Sequence, residues 1–96
     1  MRAPCVYIMA SRRNGTLYTG VTANLEQRVF QHRQGAGSSF AKATRCAMLA
    51  WYERYERMDE AIAREKQIKA GGRATKPALI EAMNPARADL DETLAQ

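Results

Sequence analysis

The sequence predicts an α/β (α+β) domain, a small three-stranded antiparallel sheet flanked by helices in the order β-β-α-β-α-α. Three observations carry this reading: a β-rich run interrupted by Asn14-Gly15, a segment of helical period directly after it, and two later helical patterns closed by Gly71-Gly72 and Asn84-Pro85. The 96 residues hold one core, so any active site must draw on positions scattered along the chain. The expected organisation is a single domain over residues 1–87 and an acidic C-terminal tail over 88–96.

Residues 4–10 form a short apolar run rich in β-formers, and residues 16–22 resume it beyond Arg13-Asn14-Gly15. Asn-Gly between two such runs is the strongest short-range hairpin signal. Thr22 or Asn24 then offers an N-cap, and Leu25, Val29 and His32 recur on one helix face, with the helix ending before Gly35. Residues 34–40 are rich in Gly and Ser and read as a loop, with Lys42 and Arg45 just beyond it. Residues 46–55 make a third strand whose early half is apolar on both faces, the pattern of a strand inside a sheet. Asp59 is placed to cap a helix from about Glu60 to Ala70, which Gly71-Gly72 stops. Pro77 suits the first turn of another helix, Ala78 to Met83, and the acidic tail reads as a frayed amphipathic turn at most.

Composition excludes several classes. No apolar run approaches the ~20 residues of a membrane span, and Ser11, Arg12 and Arg13 interrupt the apolar start before it reaches signal-peptide length. Cys5 and Cys46 are too few for a disulfide framework and lack zinc-site spacing, so two buried thiols in a reducing cytoplasm is the reading. The expected location is cytoplasmic, with no membrane partner. The net charge of +5 hides an asymmetry: Arg2, Arg12, Arg13, Arg28, Arg33, Lys42 and Arg45 face only Glu26 in residues 1–52. A phosphate polyanion suits such a distribution, because each neutralised phosphate releases counterions. Charge alone fits a solvated basic surface equally well.

Several polar residues sit where apolar ones are expected. Counting about 100° per residue from Ala61, Glu65 falls near 40°, between the directions of Ile68 and Ile62. A carboxylate there needs compensation, either as a structural ion pair with an Arg, as a group at the stripe's edge reaching solvent, or as a metal ligand. On the first helix Arg28 and His32 are four apart and share the face of Leu25 and Val29. A guanidinium clamps a phosphate bidentately, and an imidazole accepts or relays a proton near neutral pH. Tyr7 and Tyr18 lie on strands expected to pair, where tyrosines serve as packing or as part of a polar cluster. Gly20, inside a strand, marks close approach of another group.

In this order the residues resemble a GIY-YIG nuclease domain. The first signature triplet corresponds to Cys5-Val6-Tyr7, the second to Tyr18-Thr19-Gly20, and the helical Arg28-x-x-x-His32 and Glu65 follow at similar spacing. The likeness spans about residues 4–84 and is nearest to the small standalone bacterial members, YhbQ-like and uncharacterised UPF-type proteins. Cys5, Val6 and Thr19 depart from the triplets, which touches packing more than chemistry. Asn84, 19 positions after Glu65, stands as the candidate for a family Asn that supports the site.

The resemblance implies a divalent-metal-dependent endonuclease hydrolysing phosphodiester bonds in DNA or RNA, DNA being the favoured substrate and repair or recombination the expected setting. Glu65 would hold Mg²⁺ or Mn²⁺, Arg28 would bind the phosphate, Tyr7 would orient or deprotonate the attacking water, Tyr18 would hydrogen-bond the phosphate or water, and His32 would take the proton onward. Arg12, Arg13, Lys42 and Arg45 are the expected contacts to the nucleic-acid backbone. A domain of this size is compatible with a homodimer or a protein partner. The alternatives are a non-catalytic nucleic-acid-binding module on the same fold and a structural or protein-interaction domain.

Overall fold

The computed structural model describes residues 3–11, 16–33, 48–86 and 88–90. Its elements run β1 (Cys5–Ala10), β2 (Leu17–Thr22), α1 (Leu25–Arg33), β3 (Met48–Arg54), α2 (Met58–Ala70) and α3 (Thr75–Met83). The three strands form one antiparallel sheet, as the sequence predicts, and their order across it is β2-β1-β3. The Asn14-Gly15 turn lies outside the described residues, but Ser11 N–H donating to the Thr16 carbonyl at 3.0 Å closes the hairpin beside it. Among the described residues no helix is long and apolar enough to cross a membrane.

The central strand is β1, every residue of which is buried. Its alternate side chains feed two separate cores, because successive residues of a strand point to opposite faces. Val6, Ile8 and Ala10 pack with Ala50, Trp51, Ala61, Ile68 and Ile80, beneath α2 and α3. Cys5, Tyr7 and Met9 pack with Leu25, Val29 and Leu49, beneath α1. Burial pushes the Cys5 thiol above its ordinary range. Cys46 is outside the described residues.

The sequence pattern marks β3 as an interior strand, but the structure places it at an edge. Leu49, Ala50 and Trp51 are nevertheless buried, because helices cover both sheet faces there. Residues 88–90 also shield the open edge: Leu90 N–H donates to the Leu49 carbonyl at 2.8 Å, and Leu49 N–H donates to Asp89 Oδ1 at 3.1 Å. Asp89 also pairs with Arg33 of α1. Occupied backbone groups at Leu49 interrupt the edge as a template for pairing with another chain.

Helix ends follow local chemistry. Asn24 is the cap of α1, its Oδ1 accepting from Gln27 N–H at 3.2 Å, while Thr22 Oγ1 accepts from Asn24 N–H at 3.1 Å. Asp59 does not cap α2: the helix begins one residue earlier at Met58, and Asp59 sits in its first turn, bonded to Arg57 and to Glu60 N–H. Met58 packs on the core beneath α2, which draws that residue into the helix. A carboxylate in the first turn still favours the positive end of the helix dipole. Helix α3 begins at Thr75, earlier than the predicted Ala78, with Pro77 in its first turn where no intrahelical N–H is required.

Candidate active site

Tyr7 defines the site because it is both fully buried and polar. It stands on the α1 face of β1 opposite Gly20 of β2, with Met9 opposite Tyr18 one step further along. A Cβ at Gly20 would lie 2.5 Å from Tyr7 Oη and 2.6 Å from its Cζ. The missing side chain is therefore what lets the phenol lie across β2 toward the sheet edge. Helix α1, capped at Asn24, brings down Leu25, Val29 and His32 as its buried face.

Three rings meet there. The Tyr7 and Tyr18 centroids are 6.4 Å apart, His32 stands nearly edge-on to Tyr7 at 5.6 Å, and His32 lies 5.2 Å from Tyr18. Tyr7 Oη and His32 Nε2 are hydrogen-bonded at 3.0 Å. In the tautomer protonated at Nδ1 the phenol donates and Nε2 accepts. His32 Nδ1 is buried with no hydrogen-bond partner.

Burial pushes the Tyr7 hydroxyl up to about 12, against the pull of the Arg28 guanidinium, which acts both by charge and by a hydrogen bond; Tyr18 and Glu65 add to the upward push. Burial, and then the Arg28 charge, hold His32 below its ordinary 6.5. At neutral pH the cluster is thus a protonated phenol beside an uncharged imidazole, with a guanidinium next to both.

Glu65 approaches from α2, which packs against β2 and β1 with its core residues on the opposite face of the sheet. Its charge reaches the Tyr7 hydroxyl because Tyr7 leans out over Gly20. The carboxylate is largely covered, with 18% of its side chain exposed, and pairs at 3.5 Å with Lys69 one turn along the helix rather than with Arg28. With the Lys69 ammonium half-exposed, a helix pair at this spacing is worth only about 0.5 kcal/mol, so it yields readily to a stronger partner. Ile62, read from the sequence as part of the same stripe, is 37% exposed.

The structure thus gathers Tyr7, Tyr18, Gly20, Arg28, His32 and Glu65 around one point at the β2 edge. Asn84 is used elsewhere. Its Nδ2 donates to the carbonyls of Ala50 (3.2 Å) and Ala88 (2.7 Å) and its Oδ1 accepts from Ala88 N–H (3.1 Å), fastening α3 and the following chain to β3, on the other side of β1 from β2. Arg12, Arg13, Lys42 and Arg45 lie outside the described residues. Lys69 was not singled out in the sequence, although its four-residue spacing from Glu65 is a direct signal of pairing.

His32 is the only histidine, so its titration can be followed without ambiguity. Its folded value is depressed, so the associated stability is complete above the unfolded value near 6.5 and is lost as pH falls through the folded one. The loss cannot exceed about 1.4 kcal/mol per pH unit for one proton. NMR titration is expected to give a midpoint below 6.5 that moves up in Arg28→Gln. A midpoint above 6.5 would contradict a buried neutral imidazole.

A buried phenol–imidazole pair with a guanidinium and a carboxylate close by at the β2 edge is equipment for phosphate chemistry, in which charge must be offset and a proton moved. The family model described as the GIY-YIG catalytic domain matches residues 3–77, and the chain belongs to this family, part of a nuclease superfamily. It is 38% identical to a UPF0213 protein of Staphylococcus haemolyticus, over 79% of this chain and 92% of the relative. A UPF0213 protein of Staphylococcus saprophyticus is 35% identical over 78% of this chain and 90% of its own length. One from Natronomonas pharaonis is 37% identical over 78% of this chain and 87% of its own length. No solved structure gives a significant match.

Proposed function

We propose that this chain is a divalent-metal-dependent endonuclease that hydrolyses phosphodiester bonds, in DNA rather than RNA, in the cytoplasm and in the service of repair or recombination. The observation that carries the reading is the 3.0 Å bond between Tyr7 and His32 with Arg28 beside it.

A phenol held up to about 12 is a poor base at neutral pH, whereas an imidazole held below 6.5 is uncharged and ready to accept a proton. The base is therefore His32, acting through Tyr7. As water oxygen bonds to phosphorus, one water proton passes to Tyr7 Oη while the Tyr7 proton passes to His32 Nε2. The bond from phosphorus to the leaving oxygen breaks, and that oxygen takes a proton from solvent. Arg28 binds the phosphoryl oxygens and offsets their growing charge through its planar fork, for which lysine has no equivalent. Tyr18, packed against both Tyr7 and His32, donates to the phosphate.

Glu65 is the residue to hold Mg²⁺ or Mn²⁺. Among the described residues no group of three or more His, Cys, Asp or Glu forms a cage for a metal ion. A single carboxylate suits Mg²⁺, which keeps waters and borrows phosphate oxygens. When bound, such an ion supplies Lewis-acid stabilisation of the phosphoryl and leaving oxygens.

A non-catalytic binding module is the second reading, favoured by the Lys69 ammonium that already neutralises Glu65. Incubating the chain with supercoiled plasmid, branched DNA and structured RNA separates the two. Nicking that requires Mg²⁺ and stops with EDTA is expected; binding without cleavage under every condition establishes the module instead.

A further inference from the structure

Beside the ring cluster, at the same edge of the sheet, an open pocket of about 280 Å³ is lined by Leu17, Tyr18, Thr19, Lys69 and Lys76. Two of these connect it to the site already described. Tyr18 is shared with the ring cluster, and Lys69 lies one helical turn from Glu65. The pocket therefore adjoins the ring cluster at the β2 edge.

Its polar lining is made of donors. Lys69 and Lys76 bring two ammonium groups, and among the described residues Lys76 has no acidic partner. Thr19 pairs with Ile8 and so faces α2 and α3. It is 2% exposed, and its hydroxyl has no hydrogen-bond partner. A buried hydroxyl without a partner is a standing cost that a ligand oxygen removes. Two cations and an unsatisfied hydroxyl suit an anion rich in acceptor oxygens.

We propose that this pocket is a second phosphate subsite, which takes the backbone phosphate flanking the scissile one on the same strand. Lys76 and Lys69 supply its charge and the Thr19 hydroxyl its neutral hydrogen bond. This rests on the nuclease reading, since it is the neighbouring phosphodiester site that makes a nucleic-acid strand the source of the anion. One helical turn, about 5.4 Å, separates Glu65 from Lys69, a span that a strand crosses within one or two nucleotides. The Glu65–Lys69 pair also acquires a use: Lys69 holds the carboxylate until nucleic acid and metal arrive, then turns to the flanking phosphate.

The test is binding rather than cleavage. Fluorescence anisotropy of a labelled single-stranded DNA in EDTA is followed across a salt series for the full chain and for Lys76→Gln, Thr19→Val and Arg57→Gln. Arg57 is exposed at the opposite end of α2, paired with Asp59, and serves as a surface-charge control. Lys76→Gln is expected to flatten the slope of log affinity against log salt by about 0.7, the signature of one lost phosphate contact on a single strand, whereas Arg57→Gln keeps the wild-type slope. Thr19→Val is isosteric and uncharged, so affinity falls several-fold at unchanged slope while Tm is kept or raised. A wild-type slope in Lys76→Gln overturns the subsite, and so does an equal change in Lys76→Gln and Arg57→Gln. Wild-type protein that shows no salt-dependent binding overturns the nuclease reading itself, and the subsite with it.

Discussion

Replacing Glu65 by glutamine is expected to lower metal-dependent nicking by roughly a hundredfold or more while leaving Tm within about 1 °C of wild type. The asymmetry follows from what the carboxylate does in each state. In the folded chain alone its ion pair is with Lys69, 51% exposed, and such pairs contribute a few tenths of a kcal/mol. In the proposed reacting complex it would hold the divalent ion, and losing that ion's stabilisation of the phosphoryl and leaving oxygens would cost several kcal/mol. Glutamine keeps the shape and loses the charge, so packing against β2 is undisturbed. The measurements are the single-turnover nicking rate over a Mg²⁺ series and the melting curve. A rate within a factor of two of wild type would remove Glu65 from the chemistry. A matching fall in Tm would make it a structural residue instead.

What the sequence revealed, and what it did not, divides by the range of the interaction. The hairpin and α1 were legible because Asn-Gly turns and helical period are local signals. The central place of β1 was not. Its burial and that of β3 look alike in sequence, and only the pairing of β1 with both partners and the return of residues 88–90 onto Leu49 tell the two strands apart. Asp59 misled because cap preference competes with packing, and the burial of Met58 decided the outcome.

Within the site, Glu65 and the Arg28–His32 pair stood out because carboxylate, guanidinium and imidazole fell on helix faces that should bury apolar groups. The Tyr7–His32 bond spans 25 positions and has no local signal. Nor does the direction of the Tyr7 shift, which depends on burial outweighing the nearby guanidinium. In the proposed mechanism that direction is the reason the base is the imidazole rather than the phenol. Thr19, legible only as a departure in a motif triplet, proved to carry a buried hydroxyl with nothing to bond to.

Gly20→Ala is the substitution in which a single methyl group should have the widest effect. Its Cβ would meet Tyr7 at 2.5 Å (Oη), 2.6 Å (Cζ) and 3.0 Å (Cε1), distances that cannot be relieved by a small adjustment. The Tyr7 ring is not a loose end, since His32 and Tyr18 flank it and its hydroxyl is tied to Nε2. Either the phenol swings off the β2 edge or the two strands part. Overpacking of this kind costs about 1–3 kcal/mol, and displacing the hydroxyl by about 1 Å costs on the order of 10²-fold in rate. Thermal melts and single-turnover nicking on the same preparation should therefore fall together. In a Tyr7→Phe background the nearest clashing atom is gone, so the stability penalty of Gly20→Ala should shrink but not vanish, because Cζ remains at 2.6 Å. An alanine variant that melts and cleaves like wild type would mean that the phenol does not cross β2. Glu65, which reaches the cluster from the other face only at that edge, would then have no route to it.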